Sequence, residues 1–196
     1  MAASLLGNIT GALLLGGESR RMGRDKAHLE WQGEAWSTRT ARLLACLFTE
    51  TVLVGGEPEQ DAPGRRVADP AGPSCALRGL VGALDAATSP RVLVVATDLP
   101  LLRADLLLGL SAWPERQVVL PVDERGEHPL CAIYERESCL EAARANLASG
   151  RLALHDLVGQ LDCDRVTTEQ LGLSDLGSAL FTNINTPEDL ASLEVS

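Results

Sequence analysis

The segment Arg91-Val92-Leu93-Val94-Val95-Ala96-Thr97-Asp98 is a strand-length apolar run that stops at a carboxylate. A strand that is apolar at odd and even positions alike must be covered on both faces. Such strands belong to a largely parallel sheet held between helical layers. Two earlier runs read the same way: Ile9–Leu15, ending in Gly16-Gly17, and Val52–Val54, ending in Gly55-Gly56. Helical periods separate them. Trp36–Phe48 carries Leu43, Leu44 and Leu47, with Arg39 and Arg42 turned outward; Leu77–Ala87 repeats Leu77, Leu80, Val81 and Leu84; Leu101–Leu110 is leucine-rich after Pro100. This alternation predicts an α/β fold, a Rossmann-like three-layer α/β/α arrangement around a mostly parallel mixed sheet with right-handed crossovers. Ligands of such sheets sit beyond the carboxyl ends of the strands. Gly16-Gly17, Gly55-Gly56 and Asp98 all fall at such ends.

The second half is less regular. Val118–Val122 and Leu130–Tyr134 read as strands joined by the glycine-containing loop Asp123–Pro129. Ser138–Ala148 and Ala153–Val158 read as helices. Thr186-Pro187-Glu188-Asp189 reads as a helix start, with Thr186 as cap and acids in the first turn. No repeat or linker interrupts the 196 residues, so 1–196 is expected to be one domain, with halves 1–115 and 116–196.

At 45% hydrophobic residues the chain can bury a full core, and at 3% aromatic residues that core must be aliphatic. The formal net charge of −10 argues against nucleic-acid binding and against an anionic membrane surface. Five cysteines, odd in number and without a C-x-x-C pair, suit reduced thiols in a cytoplasmic, soluble protein.

Against that acidic background one segment stands out: Leu14-Leu15-Gly16-Gly17-Glu18-Ser19-Arg20-Arg21-Met22-Gly23-Arg24-Asp25-Lys26. Paired glycines let backbone N–H groups approach an anion. Arg20, Arg21, Arg24 and Lys26 then gather cations suited to a triphosphate. The segment lacks the G-K-[ST] of a Walker loop and the G-x-G-x-x-G of dinucleotide sites. A solvated basic hairpin is the plainer alternative.

The other candidate residues also carry two readings each. Asp98, ending a buried strand, fits a Mg²⁺–nucleotide site, since Mg²⁺ takes one or two carboxylates plus phosphate oxygens and waters. It could equally cap the following helix near Ala104. Asp69 ends a short strand after Val67, or merely opens the Asp69-Pro70 turn. Asn183 and Asn185 point the same way on an extended segment, or form an Asx turn into the helix at Thr186. His128 lies in a loop, where a lone histidine has no necessary function. His28 and His155 show no zinc-ligand spacing.

Taken together, L-x-G-G-x-S-x-R-M-G-x-D-K resembles the signature of nucleotidyltransferases, and its Gly-Gly form resembles the molybdenum cofactor guanylyltransferases in particular. The resemblance continues through Asp69, Thr97-Asp98-Leu99-Pro100-Leu101, His128-Pro129-Leu130 and Asn183-Ile184-Asn185-Thr186-Pro187-Glu188-Asp189. It implies a nucleotidyltransferase fold and transfer of GMP from GTP to the terminal phosphate of molybdopterin, releasing pyrophosphate. It assigns catalysis to Arg20, Lys26 and Asp98, with Asp98 holding Mg²⁺. It assigns nucleotide binding to Leu14, Leu15, Gly16, Gly17, Lys26, Gly55, Asp69 and Asp98, and acceptor binding to His128, Asn183 and Asn185. By analogy it implies transient contact with cofactor-insertion proteins or molybdoenzymes.

Three departures bear on base selectivity. Cys75-Ala76-Leu77-Arg78-Gly79 stands where the family usually shows G-P-L-x-G; Gly55 stands where many relatives carry Asn; Leu15 stands where Ala is commoner. The alternatives are therefore cytidylyl transfer to molybdopterin, nucleotidyl transfer to another phosphorylated acceptor, or a non-catalytic nucleotide-binding adaptor. A dinucleotide-dependent oxidoreductase lacks its fingerprint glycines.

Overall fold

The computed structural model describes residues 5–15, 30–31, 34–56, 61–72, 74–99, 101–174 and 180–181. Strand β1 (Leu6–Leu14) leads to a small antiparallel pair, β2 (Glu30–Trp31) and β3 (Glu34–Ala35), and then to helix α1 (Trp36–Leu47). There follow β4 (Phe48–Val54), β5 (Arg65–Val67), α2 (Ala76–Ala86), β6 (Arg91–Ala96) and α3 (Ala104–Ala112). The second half supplies β7 (Val118–Asp123), β8 (Gly126–Glu127), β9 (Cys131–Glu135), α4 (Arg136–Ala148), α5 (Leu154–Val158) and β10 (Cys163–Thr167).

One sheet takes strands from both halves, in the order β10-β7-β9-β6-β1-β4-β5, with β8 on β7. It is mixed: β1 pairs parallel with β4 and β6, β4 with β5 and β7 with β10, while β9 runs antiparallel to β6 and β7. Alternate side chains of the central strands enter opposite faces. Leu13, Leu53, Leu93 and Val95 pack with Leu44 of α1 and Leu106, Leu107 and Leu110 of α3. Ala12, Val52, Val54, Val92 and Val94 pack with Leu77, Leu80 and Leu84 of α2, Leu140 of α4 and Leu157 of α5. This is the three-layer α/β/α architecture. Leu13, Leu53 and Leu93 are at most 1% exposed, and each such side chain stabilises the fold by about 1.5–3 kcal/mol.

The chain moves outward from β1 to β4 and β5, then returns to the other side of β1 as β6. The reversal leaves a crevice at the carboxyl ends of β1 and β6, the ligand position of open α/β sheets.

The structure adds the short strands β2, β3 and β8, which the sequence reading did not expect, and departs from it in two further elements. Cys163–Thr167 is the edge strand β10, which showed no strand pattern because only Val166 of its five residues is buried. Helix α3 begins at Ala104 rather than Leu101, since Leu99 and Leu102 point into the core from the preceding turn.

Away from the crevice, Glu50 of β4 ties four segments together. Its carboxylate accepts hydrogen bonds from Thr10 Oγ1 (2.6 Å), Thr88 N (2.9 Å), Thr88 Oγ1 (2.7 Å) and Arg65 Nη2 (2.9 Å). Burial alone would raise its pKa; these donors outweigh burial and hold it at about 2. Relative to an ordinary glutamate this corresponds to at most about 3 kcal/mol. With the side chain 19% exposed, solvent screening reduces the contribution to about 1–2 kcal/mol. A depressed folded-state pKa stabilises above the unfolded value and ceases to do so below the folded one. Glu50→Gln should therefore lower the unfolding free energy by about 1–2 kcal/mol at pH 7. In urea titrations the gap between the two proteins should narrow as pH falls through the window between an ordinary glutamate pKa and about 2.

Candidate active site

Four parallel strands stop level with one another. Leu14 is in register with Val54 of β4 and Ala96 of β6, and Val54 with Val67 of β5; all four are last residues of their strands. Just beyond, Leu15 N donates to Val54 O and Gly55 N to Val67 O, each at 2.9 Å. Ala96 N donates to Leu130 O at 2.9 Å, which brings the start of antiparallel β9 to the same edge. The basic loop opens with Gly16, directly after Leu15. Gly16, Gly17, Arg20 and Lys26 lie outside the described residues, as do Asn183 and Asn185.

Gly55 and Gly56 both adopt left-handed backbone, at φ +67° and +54°. A Cβ on Gly56 would lie 2.8 Å from Leu15 Cβ, and one on Gly55 would lie 2.7–2.8 Å from all three carboxyl atoms of Asp69. The Asp69 carboxylate thus rests flat on the Cβ-free face of Gly55. Only glycine combines this backbone with this contact at low cost. Arg78 of α2 closes the group: Nη2 donates to Asp69 Oδ2 at 3.2 Å and Nη1 to Gly72 O at 2.7 Å, while Nε is buried without a hydrogen-bond partner. A side chain at position 55 has no room, because Asp69 fills that space.

Asp98 lies two residues past Ala96 and is half-buried at the crevice. Helix α3 has Arg103 at its cap position, and its Leu106 amide donates to Asp105 Oδ1 at 2.9 Å. Among the described residues no three His, Cys, Asp or Glu side chains gather around a metal position.

On the acceptor side, His128 N donates to Pro121 O at 3.0 Å and Cys131 N to His128 O at 2.9 Å, which fixes the loop before β9. The imidazole stacks on Phe181, with centroids 4.1 Å apart and planes inclined by 13°. His128 Nε2 lies 2.9 Å from Asp123 Oδ1, yet the approach is off the hydrogen-bond direction, leaving Nε2 and Asp123 Oδ2 as buried unpaired atoms. Phe181 precedes Asn183 by two residues, so the histidine loop packs against the segment that leads to the Asn-x-Asn motif. The neighbouring thiols of Cys131 and Cys139 are buried, which pushes each up to about 12 and makes them inert packing groups.

The structure therefore brings Leu14, Leu15, Gly55, Asp69, Asp98 and His128 to one edge of the sheet. Sequence reading overlooked Arg78, Asp123 and Phe181 as parts of that edge. Arg78 was visible only as part of an altered motif; nothing in its spacing pairs it with Asp69, because an irregular turn sets that contact. Asp123 and Phe181 are 58 positions apart and meet only through His128.

Residues 11–165 match the MobA-like NTP transferase domain. The chain is 35% identical to a "Probable molybdenum cofactor guanylyltransferase" of Pelotomaculum thermopropionicum, over 95% of this chain and 92% of the relative. It is 33% identical to the molybdenum cofactor guanylyltransferase of Xanthomonas euvesicatoria pv. vesicatoria, over 94% of this chain and 93% of the relative. Its fold is that of the crystal structure of molybdopterin-guanine dinucleotide biosynthesis protein A from Archaeoglobus fulgidus, with a TM-score of 0.80 at 22% identity, covering 95% of this chain and 97% of that one.

The contact at position 55 can be tested by stability alone. Gly55→Ala should cost about 1–3 kcal/mol in denaturant unfolding, from left-handed strain and displacement of the Asp69 carboxylate. An unchanged midpoint would mean the turn is not held as described.

Proposed function

The chain belongs to the molybdenum cofactor guanylyltransferases among the MobA-like NTP transferases, and from that premise we propose how its carboxyl edge carries out the reaction. The chain transfers GMP from GTP to the terminal phosphate of molybdopterin. An oxygen of that phosphate attacks the α-phosphorus of GTP in line. A new P–O–P linkage forms, the α–β anhydride bond breaks, and pyrophosphate leaves with the electron pair.

The observation that carries this reading is the register of Leu14 with Ala96. It starts the cationic glycine loop beside the strand that leads into Asp98, which supports one crevice for triphosphate and carboxylate. The attacking phosphate monoester is already mostly ionised near neutral pH, with a second pKa of about 6, so the protein needs no general base. Its work is alignment and charge neutralisation. In a chain of net charge −10, that neutralisation must be local. Arg20 and Lys26 steady the triphosphate and then the departing pyrophosphate. Gly16 and Gly17 admit backbone N–H groups to the nucleotide, and the Leu14–Leu15 and Gly55 backbone with Asp69 lines the nucleoside end. Asp98 would hold Mg²⁺, which when bound screens and orients the phosphate oxygens.

His128, ordered by its Phe181 stack, and Asn183 and Asn185 form the acceptor side. Residues 1–115 thus serve the nucleotide and 116–196 the pterin. Among the described residues no helix is long and apolar enough to cross a membrane. All five cysteines are free thiols, which supports work in a reducing cytoplasm, where the product passes to insertion proteins or molybdoenzymes.

Purified protein with Mg²⁺, GTP and molybdopterin should release pyrophosphate and yield the guanine dinucleotide, and CTP should replace GTP poorly. Asp98→Ala should lower the rate at least about a thousandfold, a loss on the scale of removing a principal electrostatic stabiliser, while the unfolding midpoint stays near that of the parent. Parental turnover in that variant would refute the assignment of Asp98.

A further inference from the structure

We infer that Arg78 is a positioning residue for base selection: it locks the Asp69 carboxylate into a fixed pair of acceptors that reads the donor edge of guanine. The inference rests on the reading that this crevice takes GTP, and it goes beyond that reading in naming how the base is chosen.

Three observations carry it. First, the carboxylate has one position. Gly55 supports it from below, with all three carboxyl atoms 2.7–2.8 Å from where a Cβ would stand. The Arg78 guanidinium holds it from the side through Oδ2 at 3.2 Å. Second, Arg78 is itself anchored, since its other terminal nitrogen binds Gly72 O at 2.7 Å and the side chain is only 18% exposed. A guanidinium fork fixed at both tips cannot follow a moving carboxylate, so it dictates the orientation. Third, Asp69 keeps accepting capacity. Oδ1 has no hydrogen-bond partner among the described residues, Oδ2 has only Arg78, and the side chain is 27% exposed.

An ionised carboxylate only accepts hydrogen bonds. Two coplanar acceptors side by side match two adjacent donors. Guanine offers such a pair in N1–H and the N2 amino group. Cytosine offers a single amino donor next to the N3 acceptor, and N3 would face the second carboxylate oxygen with repulsion. Hypoxanthine keeps N1–H but lacks the amino group, so inosine triphosphate isolates the second bond. Gly55 and Arg78 then form one unit: the Cβ-free position 55 admits the carboxylate, and Arg78 secures it.

Binding of GTP, ITP and CTP in Mg²⁺ to the whole chain, by calorimetry, tests this without depending on turnover. A hydrogen bond to a charged group contributes about 1.5–3 kcal/mol, so the parent should prefer GTP over ITP by about tenfold or more. CTP should bind more weakly than ITP. Arg78→Ala should collapse the GTP/ITP ratio toward one, and Arg78→Lys, which can reach Asp69 but cannot hold both anchors, should fall between. Asp69→Asn, nearly isosteric, should also collapse the ratio and serves as the test if Arg78→Ala fails to fold. A merely structural role for Arg78 would weaken GTP and ITP equally and leave their ratio unchanged; that result overturns the inference. So does a parent protein that binds GTP and ITP alike, as it would if Asp69 held only the ribose. Absence of any nucleotide binding by the parent would overturn the GTP reading itself.

Discussion

Strands β5, β4, β1 and β6 end level with one another, and the chemistry of the chain depends on that shared edge. A sheet whose parallel strands end in register exposes the next residues of each strand side by side. Here those residues are Leu15, Gly55-Gly56, Ala68-Asp69 and Thr97-Asp98. A slip of one residue in β1 would turn Leu13 and Ala12 toward the wrong helical layers, so burial in the core protects the register and the register aligns the edge. The same bonding brings in the acceptor side, because β9 runs antiparallel to β6 and delivers Leu130, and with it His128, to the carboxyl end of Ala96.

Stability and chemistry are separated in space. The Glu50 network lies toward the amino ends of β1 and β4 and binds β5 and the turn before β6. Its charges are satisfied within the protein. At the carboxyl edge the opposite holds: Arg78 Nε, Asp123 Oδ2 and His128 Nε2 are buried without hydrogen-bond partners. Such groups cost stability. At this edge they lie beside two left-handed glycines; others, such as Arg91 Nε and Nη2 at the start of β6 and the Asn146 amide of α4, are buried elsewhere in the protein.

The central strands were legible in the sequence because burial on both faces leaves an unbroken apolar run, as in Arg91–Ala96. Helices α1 and α2 were legible because each presents one apolar stripe to the sheet. Edge strand β10 was not, because with one buried residue it carries no pattern. Of the site, Asp98 and Asp69 were visible as carboxylates at strand ends and Gly55 as a turn residue. The Arg78–Asp69 pair and the His128–Phe181 stack were not, since both are made by irregular segments whose geometry tertiary packing decides. Gly55 shows the limit well: its sequence reading was a missing side chain, and its structural role is the space that a neighbouring carboxylate fills.

The most direct measurement of the shared edge is amide hydrogen exchange with and without GTP and Mg²⁺. The account predicts joint protection of the segments around Leu15, Gly55–Asp69 and Thr97–Leu99, with the turn at Thr88-Ser89 unchanged. Protection confined to the Thr88-Ser89 side of the sheet, or to only one of the three edge segments, would contradict it.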